Sequence, residues 1–138
     1  MQGVLLASHG KMAKGIAHSI TMFFGNDINQ FDYECFMPED NIKEFQKRII
    51  DKVNNLDTGD GVIILLDIFG GTPAQALIPC INGKNLILSG MNFPMTIQAL
   101  TSRQEHIVSK KELISCGKTA IQSYEPNDEK EPEDSFFG

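Results

Sequence analysis

One histidine, one aspartate and three glycines carry the chemistry open to this sequence. His9 falls near the end of Val4-Leu-Leu-Ala-Ser-His-Gly10. Asp67 closes Val62-Ile-Ile-Leu-Leu-Asp67, which continues as Ile68-Phe-Gly-Gly-Thr-Pro73. Each run is apolar, ends in a polar residue and passes through glycine into a helix-like pattern. A neutral imidazole has one N–H and one bare nitrogen. A carboxylate that accepts from one ring nitrogen fixes the tautomer and leaves the other free to attack. It also stabilises the positive charge that develops on the ring. A histidine so held is a good acceptor for phosphorus and later a labile donor. The incoming group needs N–H donors, and two helix N-termini, after Gly10 and after Gly71, offer amides and positive dipole ends. Gly10, Gly70 and Gly71 let the backbone approach closely, and Thr72 adds a hydroxyl. The predicted site therefore has His9 as nucleophile and Asp67 as its partner, with Gly10, Gly70, Gly71 and Thr72 around the phosphate. It requires no metal and no cofactor.

Taken singly, these residues have plainer readings: a histidine after a strand as a cap, an aspartate as the cap of the next helix, Gly-Gly-Thr-Pro as an ordinary turn. Their placement at neighbouring strand ends is what favours a site. His18, within a helix, and His106, near a helix start, read as structural or solvated. Lys11 and Lys14 could attract phosphate but read most simply as surface lysines. Met91 and Met95 read as packing residues.

The elements that must position the pair follow from periodicity. Gly3–Ala7 reads as a strand buried on both faces. Met12, Ala13, Ile16, Ala17, Ile20, Phe23 and Phe24 recur at helical spacing, with Gly25 as the stop. Phe31–Met37 alternates as a second strand. Pro38 opens a helix whose stripe is Ile42, Phe45, Ile49, Val53 and Leu56. After the loop Asp57–Gly61, Val62–Leu66 is the clearest strand in the chain. Thr72 is expected to cap a helix that starts at Pro73 and runs to about Ile81. Leu86–Leu88 reads as a fourth strand and Pro94–Leu100 as a helix. A further helix covers roughly Arg103–Cys116, closed by Gly117, and Thr119–Tyr124 alternates weakly as a last strand. Strands alternating with helices predict an α/β protein, a doubly wound and mainly parallel sheet with helices on both faces. In strand order 2-1-3-4 the first and third strands are neighbours. His9 and Asp67 would then meet in the crevice beyond their carboxyl ends, where ligands bind in such sheets.

Composition narrows the classes. A chain of 138 residues fits one domain, read as residues 1–124. Residues 125–138 hold six acids and one base, Lys130, so they contribute −5 of the net −6. They read as a disordered acidic tail, in which Phe136 and Phe137 stand out. The remainder is nearly neutral, with no basic face in view, so nucleic-acid binding is not expected. No apolar run is long enough to span a membrane, and no secretory signal is visible. The three cysteines, Cys35, Cys80 and Cys116, are far apart and have no metal-ligand spacing. They read as reduced thiols of a cytoplasmic protein. There is no GxGxxG after a strand and no GxxxxGK[ST], and no GxSxG.

On these residues the sequence resembles the enzyme IIA component of the mannose/fructose/sorbose family of the bacterial phosphoenolpyruvate-dependent sugar phosphotransferase system. The resemblance rests on Val4–Gly10 with Ala13 and Gly15 following, and on Leu66-Asp-Ile-Phe-Gly-Gly-Thr-Pro73. It rests further on Ser89-Gly-Met-Asn-Phe-Pro-Met95, similar to a Gly-x-Asn-Leu-Pro-Met loop with Phe93 in place of leucine, and on Gly117-Lys118. It implies that His9 takes phosphate from the histidine phosphocarrier protein and passes it to a IIB component, expected here on a separate polypeptide. Sugar uptake and phosphorylation then follow through the membrane components IIC and IID. It implies that Asp67 orients His9 and that Gly71 and Thr72 lie by the phosphate. Ile68 is apolar where some members carry a hydroxyl. A cytoplasmic homodimer is implied, with the last strand, near Thr119–Tyr124, exchanged antiparallel onto the partner's sheet. Alternatives kept open are a phosphotransfer subunit for dihydroxyacetone kinase, a regulatory docking module read through its phosphorylation state, and a chelatase-like α/β enzyme, which would need metal ligands.

Overall fold

The computed structural model describes residues 1–127. The acid-rich stretch from 128 onward, with Phe136 and Phe137, lies outside the described residues. The order is β1 (Gly3–His9), α1 (Met12–Phe24), β2 (Phe31–Phe36), α2 (Ile42–Leu56), β3 (Val62–Leu66), α3 (Gly71–Ala76) with a 3₁₀ turn at Ile78–Cys80, β4 (Leu86–Leu88), α4 (Phe93–Ser102) and α5 (Lys110–Thr119). The four strands are parallel, as the alternation of strands and helices predicts, and their order is the expected β2-β1-β3-β4.

Side chains of a strand alternate between faces, and the two central strands bury both. Val4 and Leu6 of β1, with Ile63 and Leu65 of β3, join Ala13, Ala17 and Ile20 of α1 and residues of α4 and α5. Leu5 and Ala7, with Val62, Ile64 and Leu66, join Phe45, Ile49 and Val53 of α2 and Ala76 beside α3's end. All five residues of β3 are buried. The same alternation sends Ser8 towards α1 and His9 towards α2 and α3.

Several boundaries differ from the sequence reading, each for a local reason. Pro38 does not start α2. The Asp40 carboxylate accepts the Met37 N–H at 2.7 Å and makes a turn. Asn41 is the cap, its Oδ1 accepting from the amides of Lys43 (2.9 Å) and Glu44 (3.2 Å). Ile42 is consequently 60 % exposed and leaves the predicted stripe, while Phe45, Ile49, Val53 and Leu56 are buried. Gly70, not Thr72, is the cap of α3. That helix ends early because Pro79 has no N–H to continue the ladder. Arg103 starts no helix: it is buried, and its guanidinium donates to the carbonyls of Gln2 (3.1 Å), Gln30 (2.9 Å) and Asn29. Ser109 caps α5 instead, accepting the Glu112 N–H at 3.2 Å. Gly117 lies inside α5, where a Cβ would come within 2.7 Å of Met95 Cε. The expected last strand at Thr119–Tyr124 is not formed in the single chain. Thr119 completes α5, and residues 121–124 have no ladder partner and are exposed. No helix among the described residues is long and apolar enough to cross a membrane.

The α4–α5 junction is pinned by Glu112. Its carboxylate accepts from Gln98 Nε2 at 2.9 Å and faces His106 Nε2 at 2.8 Å. The Ser102 hydroxyl first, then His106, hold its pKa at about 2 against partial burial, with Gln98 adding to the effect. A folded-state value below the ordinary 4.5 gives stability that is fully present above pH 4.5 and lost as pH falls towards 2. The thermal midpoint of Glu112→Gln should therefore lie furthest below the parent's above pH ~5 and converge with it in acid. A gap that is constant with pH would show that the carboxylate charge does not hold this junction.

Candidate active site

β1 and β3 pair in parallel, Ala7 opposite Leu66, so His9 and Asp67 leave the same end of the sheet from adjacent strands. They meet as the sequence predicts. Asp67 Oδ2 lies 2.9 Å from His9 Nδ1 and also accepts the His9 backbone N–H at 2.9 Å. The Asp67 N–H is donated to the Ala7 carbonyl at 3.3 Å. The side chains are unequally exposed, 41 % for His9 and 11 % for Asp67. The acid is shielded, which strengthens its field at the ring, while the ring stays within reach of a partner.

Partial burial pushes the Asp67 carboxyl up. The His9 backbone N–H, the His9 ring, the Ile68 N–H and the ring's charge outweigh it and leave the pKa below the usual carboxylate range. Asp67 is therefore ionised at neutral pH and can only accept. That assigns the proton to Nδ1 and the lone pair to Nε2. Gly71 lies against that edge of the ring: a Cβ at Gly71 would be 2.8 Å from Cε1 and 3.0 Å from Nε2. At φ +82° it also has a backbone conformation that suits only glycine. Gly70 (φ +88°) caps α3, whose first amides have no acceptor within the helix. Thr72 follows in the first turn.

Gly10 stands at the turn between β1 and α1. Its N–H is already donated to the Phe36 carbonyl at 2.8 Å. What it supplies is the turn out of β1, at φ +60°. Two residues of the site escaped the sequence reading. Ser8 is fully buried; its Oγ accepts the Ala13 N–H at 2.8 Å and donates to the Gly10 carbonyl at 3.0 Å. It thus ties the turn carrying His9 to α1. The signal was its position: one residue before His9, on the opposite face, five before Ala13. Phe36 is the other. It pairs with His9 in register, and its ring meets the imidazole edge-on, centroids 6.3 Å apart at 83°.

The third motif builds the fold. Asn92 Oδ1 caps α4 through the Met95 N–H at 3.0 Å, and Nδ2 donates to the Gly117 carbonyl at 3.0 Å. Met91 and Met95 are buried, as expected of packing residues. Lys11 and Lys14 line a groove with residues of β2 and α2, among them Arg48 and Lys52. His18 is exposed. Among the described residues no group of three or more His, Cys, Asp or Glu comes together that could hold a metal ion. Exposed apolar side chains occur close by in sequence: Phe69 (93 % exposed) and Ile68 (54 %) lie just after Asp67, and Met12 (46 %) starts α1.

A parallel α/β sheet with a histidine and a carboxylate paired at its switch point defines the class of fold and its candidate site. Comparison with known proteins then shows the family. The family model described as the phosphotransferase system fructose IIA component matches residues 3–113, and the chain belongs to this mannose/fructose family of IIA components. The fructose-specific EIIA component of Bacillus subtilis is 28 % identical over 127 residues, covering 91 % of this chain and 86 % of that protein. The mannose-specific EIIAB component of Escherichia coli K12 is 26 % identical over 104 residues, 74 % of this chain. This chain spans about a third of that longer protein, 32 %. Among solved structures, the IIA protein associated with the fucose utilization operon of Streptococcus pneumoniae superposes with a TM-score of 0.81 at 27 % identity, covering 88 % of this chain and 92 % of that one. The mannose/sorbose-specific IIA subunit of Enterococcus faecalis, at 22 % identity and a TM-score of 0.75 over 90 % and 95 % of the two chains, shows the shared fold.

Proposed function

We propose that His9 carries a phosphoryl group at Nε2 between two protein partners: a histidine phosphocarrier protein as donor and a IIB component as acceptor, on the way to sugar uptake. The observation that supports it most is the 2.9 Å contact between Asp67 Oδ2 and His9 Nδ1, with Gly71 against the Nε2 edge. The Nε2 lone pair attacks phosphorus, an N–P bond forms, and the donor's N–P bond breaks. The ring becomes positive, and Asp67, already an acceptor at Nδ1, balances it without moving a proton. The phosphoryl oxygens face the start of α3, where Gly70, Gly71 and Thr72 are the candidates to hold them. Transfer to the acceptor reverses these steps. Incubation with phosphoenolpyruvate, enzyme I and the phosphocarrier should add one acid-labile, base-stable phosphate per chain, absent from His9→Ala. No phosphate on the parent, or an unchanged signal in His9→Ala, would overturn the reading.

The transferring domain is proposed to be residues 1–124, and the active form a homodimer in which the segment after α5 pairs with the partner's sheet. Sheet edges support this. At β2 both backbone groups of Tyr33 are taken by side chains, the N–H by Asp32 at 2.8 Å and the carbonyl by Lys52 Nζ at 2.6 Å, a way of closing an edge to further strands. β4 is the other edge, and Ile121 and Tyr124 are 79 % and 97 % exposed. Light scattering should find dimers for the full chain and for a chain ending at Tyr124, and monomers for one ending at Thr119. A chain cut after Tyr124 should still take phosphate. A monomeric full chain, or a dimer that survives the cut at Thr119, would rule out the exchange.

A further inference from the structure

His9 is held at one point by Asp67 and backed on one side by Gly71, yet a single bond at Nδ1 leaves an imidazole free to tilt. β2 supplies the next contact on the ring. Phe36, opposite His9 in the β1–β2 register, sets its ring edge-on to the imidazole at 83°. Its own backbone is anchored, because its carbonyl takes the Gly10 N–H at 2.8 Å. Behind it, the Phe36 ring meets Phe45 with centroids 5.0 Å apart, and Phe45 is fully buried. The Arg48 guanidinium lies 5.6 Å from the Phe45 ring centroid. Arg48 is itself paired with Asp40 at 3.2 Å and Glu34 at 3.5 Å. The same Asp40 oxygen fixes the Met37 N–H, one residue beyond Phe36. A continuous packed path therefore runs from an ion-pair cluster, through two phenyl rings, to the imidazole.

We infer that Phe36 is a positioning residue for phosphoryl transfer: together with Asp67 and Gly71 it confines the His9 ring to the orientation that presents Nε2. The inference rests on the proposed role of His9. Phe36 acts here through the ring it packs against, so its effect belongs in the chemical step, where near-attack geometry sets the rate. It does not belong in the affinity for the donor.

The test compares Phe36→Leu, which keeps apolar bulk without a ring, with Phe36→Tyr, which keeps the ring. Transfer from the phosphorylated phosphocarrier is measured beside the ¹⁵N spectrum of the unphosphorylated His9 ring. Phe36→Leu should lower kcat roughly two- to tenfold, the range of a single edge-on aromatic pair, at unchanged KM for the phosphocarrier. It should also replace the single Nδ1-protonated signature with exchange-averaged shifts. Phe36→Tyr should restore both. Wild-type kcat and unchanged ring shifts in Phe36→Leu would overturn the inference, as would equal losses in both variants that follow their thermal midpoints. If the parent accepts no phosphate, the transfer reading fails, while the ring spectra still decide whether Phe36 holds the imidazole.

Discussion

Gly71→Ala should nearly abolish phosphoryl transfer, while Gly70→Ala should leave most of it. Both glycines have positive φ, +82° and +88°, so either alanine is strained, at Gly70 by roughly 1–3 kcal/mol because ψ −170° completes a conformation nearly confined to glycine. Their surroundings differ. A Cβ at Gly70 has nothing within 4 Å, whereas one at Gly71 would be 2.8 Å from His9 Cε1 and 3.0 Å from Nε2. The half-exposed imidazole would yield by swinging out, which stretches the bond to Asp67 and removes Nε2 from the start of α3. A displacement on the order of 1 Å at a reacting atom costs roughly 100-fold in rate, so Gly71→Ala is expected to lose at least about that factor. Both variants should have lowered thermal midpoints, so the contrast is read in the rate per folded molecule. Single-turnover transfer from the phosphocarrier measures the contrast. Equal rates in the two variants would mean that the ring does not lie against Gly71 when it reacts.

Asp67→Asn is expected to slow transfer roughly 10- to 100-fold, hydrogen bonds to charged groups being worth ~1.5–3 kcal/mol. The carboxylate receives three donors: the His9 backbone N–H, the ring at Nδ1 and the Ile68 N–H. An amide has one acceptor oxygen, so its NH₂ must face at least one of them. It also brings no charge to balance the imidazolium. Because the Asp67 pKa is lowered in the folded protein, its contribution to stability is complete above the ordinary value of 3.8 and fades only as pH falls below that. The gap between parent and Asp67→Asn should thus be flat across neutral and weakly acidic pH. A midpoint difference that vanished near pH 6 would show that the carboxylate titrates far above the range its partners impose.

Where neighbours in sequence decide the structure, the reading succeeded. β3 is five aliphatic residues between turns and can be little else, and the parallel direction follows from strands alternating with helices, with 2-1-3-4 one of the orders that pattern allows. The meeting of His9 and Asp67 follows from that order. The reading failed where a side chain from elsewhere decides. Pro38 looks like a helix starter, and the Asp40 contacts to Met37 and Arg48 move the start to Asn41. Gly117 looks like a stop until Met95 is placed against it. The Gly10 N–H on the Phe36 carbonyl and the Phe36 ring against His9 come together only through strand pairing. Such long-range contacts leave no periodic trace in sequence. The segment after α5 is a different case, since a strand needs a neighbour to pair with and the single chain offers none there.

The central claim is that phosphate is carried on one nitrogen of one ring, chosen by Asp67. Its most direct test is the ¹⁵N spectrum, with ³¹P coupling, of the protein phosphorylated through phosphoenolpyruvate, enzyme I and the phosphocarrier, labelled at histidine. A single phosphohistidine is expected, lost in His9→Ala, with phosphorus bonded to Nε2 and the proton retained on Nδ1. Phosphorus on Nδ1 of His9, or on His18 or His106, would contradict it.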